Sequence, residues 1–511
     1  MADADPASPR IQTSAPAAAL LASAFVVATC GLIYELLAST LASYLLGDSV
    51  TQFSTVIGSY LFAMGIGSWF SRYVKRDELR LFVRVELLIA LLGGCSAAAL
   101  FMLFPVIDHF RVALYGLVLA IGFLVGLEIP LLIRILRGYD FREVVSNVLT
   151  FDYVGALAAS LLFPLVLMPH LGMIRTGFLF GIFNAAVALA LLFALPRTSR
   201  YRMEKIASVL LLVGLGAGFV ASERLQRWAE VASYGEPVIY AVSSKFQRIV
   251  LTRRDDDLRL YLNGNLQFSS RDEYRYHEAL VHPALGRVAA PRNVLIMGGG
   301  DGLAAREVLK YPSVRKLTLV DLDGEMTQLF SRTDMLTRLN GGSLTNPRMT
   351  VINADGFRWA REATGRYDAI VIDFPDPVDY SVGKLYTETF YRSVRKLLAP
   401  GGMIVVQSTS PLVAPGAYWT VATTIEAAGL TTRGYHVYVP SFGEWGFILA
   451  AHGPVPPAGA MLPDNRFLDA RTAATAFAFP PDMARRPTPV NRLDNQALVR
   501  SFAKEWARYE G

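Results

Sequence analysis

The chain has 511 residues, 53% of them hydrophobic, with a mean hydropathy of +0.35 and a formal net charge of +6. That length calls for two or more domains, and that hydropathy excludes a purely soluble protein. Two cysteines, Cys30 and Cys95, and six histidines without HExxH-like spacing exclude a disulfide framework and the common zinc-enzyme patterns.

Seven apolar runs occupy approximately 18–38, 54–72, 85–105, 113–133, 149–168, 174–195 and 206–222. Each is long enough, or nearly so, for the about 20 residues that cross a bilayer. The first has no basic segment before it beyond Arg10 and stays apolar past Cys30, so it reads as a retained helix. Basic residues fall in alternate loops. Arg72, Lys75, Arg76, Arg80 and Arg84 follow the second run, Arg134, Arg137 and Arg142 the fourth, and Arg197, Arg200, Arg202 and Lys205 the sixth. The other loops carry only Arg111 and Arg175. The positive-inside rule then puts the N-terminus and the basic loops in the cytoplasm, which explains the net charge without a nucleic-acid partner. The seventh run is the shortest and is glycine-rich, so a re-entrant or surface-lying segment is expected there.

Three acids lie in or beside these runs: Glu35 in GLIYELLAS, Glu128 in VGLEIPLL and Asp152 in LTFDYVGAL. Ionisable groups at membrane depth are costly and are functional candidates by default. All three would suit a cationic ligand; interfacial or bundle-stabilising acids are the equal alternative.

From about residue 236 the pattern is that of a soluble domain. Lys245–Leu251, Leu258–Leu262 and Asn265–Phe268 read as short strands with a hairpin at Asn263-Gly264. SSRDEYRYHEALVHPAL reads as an amphipathic helix. From Asn293 onward strand, glycine-rich turn, helix and strand alternate, the signature of a doubly wound α/β sheet. NVLIMGGGDG has Leu303 where GxGxxG needs glycine, so a phosphate cradle is a weak reading, and Asp301 would suit a cation better than a pyrophosphate. Acids follow four successive apolar strands: Asp301, then Asp321 with Asp323, then Asp355, then Asp373 with Asp376. Each alone could be a helix cap or turn acid. Four at the ligand-binding edge of one sheet read as a carboxylate lining for a positive ligand.

The stretches YLNGNLQFSSRDEYRYHEALVHPAL, VLIMGGGDGLAAREVLKYPSVRKLTLVDLD, DFPDP and LYTETFYRSVRKLLAPGGMIVVQSTSP resemble the spermidine synthase (polyamine aminopropyltransferase) family over roughly residues 236–450. The apolar half resembles the multi-pass extension of some bacterial members. The resemblance implies a helical multi-pass membrane domain at 1–225, a small β-rich domain at 236–285, and a Rossmann-like, methyltransferase-type α/β domain at 286–511. It implies aminopropyl transfer from decarboxylated S-adenosylmethionine, as co-substrate, to putrescine, with no metal or other cofactor. Asp373 resembles the general base and Asp376 the grip on a substrate ammonium. Tyr276, His277, Asp301 and Gln267 match contacts to the amine or the aminopropyl arm. Gln247, Asp321, and Asp355 with Gly356 match nucleoside contacts. The expected location is the inner cell membrane with the catalytic domain in the cytoplasm, where such metabolites are found; the expected partners are the two small-molecule substrates and the lipid bilayer, and a homo-oligomer is compatible with the family.

Three positions depart from the family pattern. Phe374 stands where Ser or Thr is common, Asp379-Tyr380 where Gly-Pro is common, and Phe442 where an aromatic hydroxyl is expected. An S-adenosylmethionine-dependent methyltransferase on the same fold is an alternative, but it leaves Asp301, Asp373 and Asp376 idle. A polyamine transporter or sensor with a non-catalytic α/β domain is another, resting on the intramembrane acids.

Overall fold

The computed structural model describes residues 15–46, 49–74, 77–107, 109–135, 141–194, 201–457, 462 and 464–510. The chain divides between Gly235 and Glu236 into two compact units.

The first unit is helical: α1 (Ala15–Leu46), α2 (Ser49–Phe70), α3 (Glu78–Leu103), α4 (Phe110–Ile135), α5 (Phe141–Leu162), α6 (Gly172–Ala194) and α7 (Arg202–Tyr234). Beyond α5 a π-turn at Phe163–Leu167 contains Pro164, whose missing N–H disrupts the regular ladder. All seven helices are long and apolar enough to cross a membrane. Small residues let the backbones meet. A Cβ on Gly126 of α4 would lie 2.1 Å from the Met64 carbonyl oxygen of α2, and one on Gly94 of α3 would lie 3.0 Å from Gly181 Cα of α6.

The seventh helix differs from expectation. It is 33 residues long and unbroken, not a short re-entrant segment. It runs antiparallel to α6: Lys205 lies over Phe193, a Cβ on Gly218 would touch Phe178, and Glu223 pairs with Arg175 at 2.6 Å. Met203, Leu210, Val213 and Val220 leave its other side apolar and exposed. The helix extends past both ends of the apolar run, where Glu204 pairs with Arg84 and Glu223 with Arg175 of neighbouring helices.

The second unit holds two sheets. An antiparallel four-stranded sheet contains β1 (Val238–Ser243), β2 (Arg248–Arg254), β3 (Asp257–Leu262) and β4 (Asn265–Ser269) in sequential order. Asn263 and Gly264, at φ +50° and +84°, form the hairpin turn predicted between β3 and β4. β1 was not anticipated. β2 starts later than expected because the Ser244 hydroxyl accepts the N–H groups of Phe246 and Gln247 and holds a turn there.

The seven-stranded sheet has the order β10-β11-β9-β8-β5-β6-β7, with β5 (Asn293–Gly298), β6 (Lys316–Asp321), β7 (Met349–Asn353), β8 (Tyr367–Asp373), β9 (Leu398–Gln407), β10 (Thr431–Val439) and β11 (Gly443–Ala451). β5 to β9 are parallel and β11 is antiparallel to both its neighbours. The expected Rossmann-like α/β domain is therefore present, and its strand order reverses between β5 and β8, where ligands of such sheets bind. The helix Glu273–Leu285 packs with this sheet in one apolar core that includes Leu280, Ile296 and Val405.

Candidate active site

In the sheet order β8-β5-β6-β7 the carboxyl ends present Asp373, Asp301, Asp321 and Asp355 along one edge. The glycine run after β5 exists to let two of these acids come close. Gly298 pairs with Asp373 in the ladder at φ +83°, and a Cβ on it would lie 2.1 Å from the Asp373 carbonyl oxygen. Gly300 donates its N–H to Asp321 Oδ2 at 3.0 Å, and a Cβ there would lie 2.8 Å from that carboxyl group.

The Tyr276 hydroxyl donates to Asp373 Oδ1 at 2.6 Å. Its ring is walled by Phe447 and Phe442, at centroid distances of 5.4 and 5.9 Å. The neighbouring His277 bonds through Nδ1 to Glu273 Oε2 at 2.8 Å, and Glu273 in turn accepts two guanidinium nitrogens of Arg306, each at 2.9 Å. Burial pulls the His277 pKa down, but the Glu273 hydrogen bond, with Asp301 and Asp373 nearby, lifts it to about 9. His277 is thus a fixed buried cation facing the acids at neutral pH.

Asp301 accepts the Leu303 N–H at 2.9 Å, starting the helix after the glycine turn, and its pKa is raised by burial. Burial raises Asp373 to about 6, against the opposing pull of His277 and the Tyr276 hydrogen bond. Burial raises Asp376 to about 7, against hydrogen bonds from Gln407 and Thr409. Gln407 Nε2 reaches Asp376 Oδ1 at 3.5 Å and the Tyr386 hydroxyl at 3.0 Å, while Thr409 Oγ1 donates to Asp376 Oδ2 at 3.3 Å. Tyr386 donates to the Pro375 carbonyl oxygen at 3.1 Å and so braces the Asp373–Asp376 loop.

The nucleoside-side candidates form a second group. Asp321 accepts the Asp323 N–H at 2.8 Å as well as that of Gly300, and burial raises its pKa to about 6. Gln247 reaches this edge from the small sheet, donating to Asp323 Oδ2 at 2.9 Å. Asp355 caps the helix beginning at Gly356 and accepts Lys384 Nζ at 2.7 Å. A Cβ on Gly356 would lie 3.3 Å from Phe374 Cζ. Gln267 stands apart: its amide donates to Asn265 O in its own hairpin at 3.1 Å.

The departures from the family pattern have local explanations. Phe374 is buried against Tyr386 and Phe390. Asp379 caps the turn Tyr380–Gly383 through the Val382 N–H. Phe442 packs edge-on to Tyr276 and lies against Trp445. Sequence reasoning missed Glu273, Arg306, Gln407 and Thr409. Gln407 and Thr409 follow an apolar run, the signal that revealed Asp373, and Glu273 lies four residues before His277. Nothing in the sequence joins Arg306 to them.

The family described as Spermine/spermidine synthase domain matches residues 273–455. Polyamine aminopropyltransferase 2 of Ralstonia nicotianae is 54% identical over 506 residues, covering 96% of this chain and 98% of that protein. The chain belongs to the polyamine aminopropyltransferase family. The polyamine aminopropyltransferases of Leptospira interrogans, at 49% identity, and of Streptomyces coelicolor, its aminopropyltransferase 1, at 43%, likewise cover 96% of the chain and 99% and 95% of their own lengths. A solved spermidine synthase from Thermotoga maritima aligns with 28% identity and a TM-score of 0.44 over 48% of this chain and 84% of its own. For an aminopropyltransferase the relatives' span matters: they extend across the helical unit as well as the catalytic one. Among the described residues no group of three or more His, Cys, Asp or Glu is disposed to hold a metal ion.

Proposed function

We propose that the second unit moves the aminopropyl arm of decarboxylated S-adenosylmethionine to putrescine, releasing spermidine and methylthioadenosine. The observation that carries this reading is Asp373, buried at the switch point, held through one oxygen by Tyr276, with a pKa of about 6. A primary amine has a pKa of about 10 and is protonated, hence not nucleophilic, at neutral pH. Asp373 takes the proton from the attacking ammonium. The freed nitrogen lone pair forms a C–N bond to the aminopropyl carbon, the C–S bond breaks, and its electron pair returns to sulfur, which leaves as a neutral thioether. Asp376 holds the distal ammonium and sets the angle of attack. Asp301 faces the aminopropyl amine. His277 keeps Asp373 and Asp301 from both drawing protons in the empty site, and Tyr276 orients Asp373. Asp321 takes the ribose hydroxyls, and Gln247 supports that side by fixing Asp323. Asp355 acts by placing the Gly356 backbone against the adenine. Gln267 receives no role in this reading.

The test is purified full-length protein in detergent with labelled decarboxylated donor and putrescine. Methylthioadenosine and spermidine should form in equal amounts. Methyl transfer from S-adenosylmethionine without aminopropyl transfer would overturn the reading in favour of a methyltransferase, and amine binding without either product would favour a sensor.

The helical unit, on the same reading, anchors the enzyme in the cell membrane. Seven crossings put the two ends of this unit on opposite faces, so the chain leaves α7 on the face away from the basic loops. We place the catalytic unit in the cytoplasm, where its donor is made, against the charge bias, which puts the basic loops there. Alkaline phosphatase fused after Glu510 should then be inactive and a fluorescent protein at the same point bright; the reverse pattern would put the catalytic unit outside.

A further inference from the structure

The three acids singled out in the apolar half line one cavity. Glu35 of α1, Glu128 of α4 and Asp152 of α5 border a space of about 190 Å³ inside the helical unit, together with Tyr60 and Phe82. About 30 Å³ of liquid volume belongs to each water, so this space would hold several waters or a short aliphatic chain. Among the described residues no lysine, arginine or histidine lines it. Its remaining walls are apolar, including Val27, Leu32 and Ile129.

The acids are not there to balance basic neighbours. Glu128 is 4% exposed, and its Oε1 has no hydrogen-bond donor among the described residues. Glu86 of α3 is likewise fully buried, neither of its carboxyl oxygens has a hydrogen-bond partner among the described residues, and it interacts electrostatically with Glu128. Two carboxyl groups without a cation so deep in a helix bundle cost several kcal/mol unless they share a proton or meet a ligand. Two described arginines of α3 and α4 are engaged elsewhere: Arg84 holds Glu204 at the helix ends, and Arg134 donates to the Ser71 carbonyl oxygen at 2.7 Å. The Tyr60 hydroxyl is turned to the Gly31 carbonyl oxygen at 2.9 Å, leaving its ring to the cavity.

We propose that this cavity is a second amine site, separate from the catalytic one, that binds the ammonium group of an aliphatic diamine or polyamine. Carboxylates on three helices meet the charged nitrogen, and the apolar walls and the Tyr60 ring cover its methylene chain. The choice of amine rests on the aminopropyl-transfer reading; the cavity and the unpartnered Glu128 oxygen do not.

Equilibrium dialysis of radiolabelled putrescine and spermidine against the full-length protein in nanodiscs, without donor, tests this. Two sites per chain are expected. Glu128→Gln or Glu35→Gln should weaken one of them at least tenfold while KM and kcat for transfer in detergent stay within twofold. Asp376→Asn should weaken only the other. If Glu128→Gln fails to fold, Asp152→Asn, at a half-buried position, carries the same test. A single site that only Asp376→Asn removes would overturn the proposal, as would a cavity that sodium or potassium fills and no amine displaces. Absence of transfer by the wild type would sink the proposed reaction and leave the two-site result to be read by itself.

Discussion

Asp373 and Asp376 titrate at about 6 and about 7, and this makes rate and stability move in opposite directions with pH. A base acts only when unprotonated, so kcat/KM should climb as pH rises through 6 to 7, before the amine itself loses its proton. Asp373→Asn should cost roughly 100- to 10,000-fold in kcat, measured as methylthioadenosine released. Stability runs the other way. A carboxyl group whose pKa is raised on folding favours the native state below its unfolded pKa, and that favour is lost as pH rises through the folded value. His277, raised to about 9, has the same sign, its contribution disappearing between its unfolded value and pH 9. The melting temperature of the ligand-free catalytic unit should therefore fall between pH 5 and 8. Asp376→Asn should flatten that slope and stabilise the unit at pH 8 by roughly 2 kcal/mol while crippling putrescine binding. A steeper slope in the variant would contradict the burial argument.

The turn from β5 into the helix after it is the element on which the site depends. Gly298 combines a positive φ with a strand partner where its Cβ would be, and Gly300 combines a donated hydrogen bond with a carboxyl group in that position. Gly298→Ala should destabilise the unit by roughly 2 kcal/mol from backbone conformation alone, and the displaced Asp373 carbonyl should take the transfer rate with it. Denaturant melts and kinetics on one preparation would show both losses; a variant with normal kcat would mean that the loop tolerates a shift the geometry forbids. In the helical unit α7 makes a related point. Its apolar window is short, but its charged ends are held by Arg84 and Arg175, so the helix continues well past that window. Hydropathy alone registers the charge and misses the partner.

Across the whole molecule, the division near residue 236, the doubly wound sheet and the acids at its edge were legible because each rests on local pattern. Apolar runs of bilayer length, alternation of strand and helix, and an apolar strand that stops at an acid are all written over a few neighbouring residues. Asp321 and Asp373 stand out as candidates in this way. The brace of Glu273 and Arg306, which fixes the charge of His277, was not, because its members lie 33 residues apart on helices that meet only in the folded chain. Glu86 escaped notice for a similar reason. It interacts with Glu128 on another helix, 42 residues further along the chain, while Arg84 turns to Glu204. The sequence by itself determined which segments are apolar, which strands end in carboxyl groups and where turns must carry glycine, since period and composition are properties of neighbours along the chain. Only the tertiary structure decided which acids share a cavity, which are already bound to backbone or to cations, and which remain unpaired, since those depend on contacts between segments that no local pattern encodes.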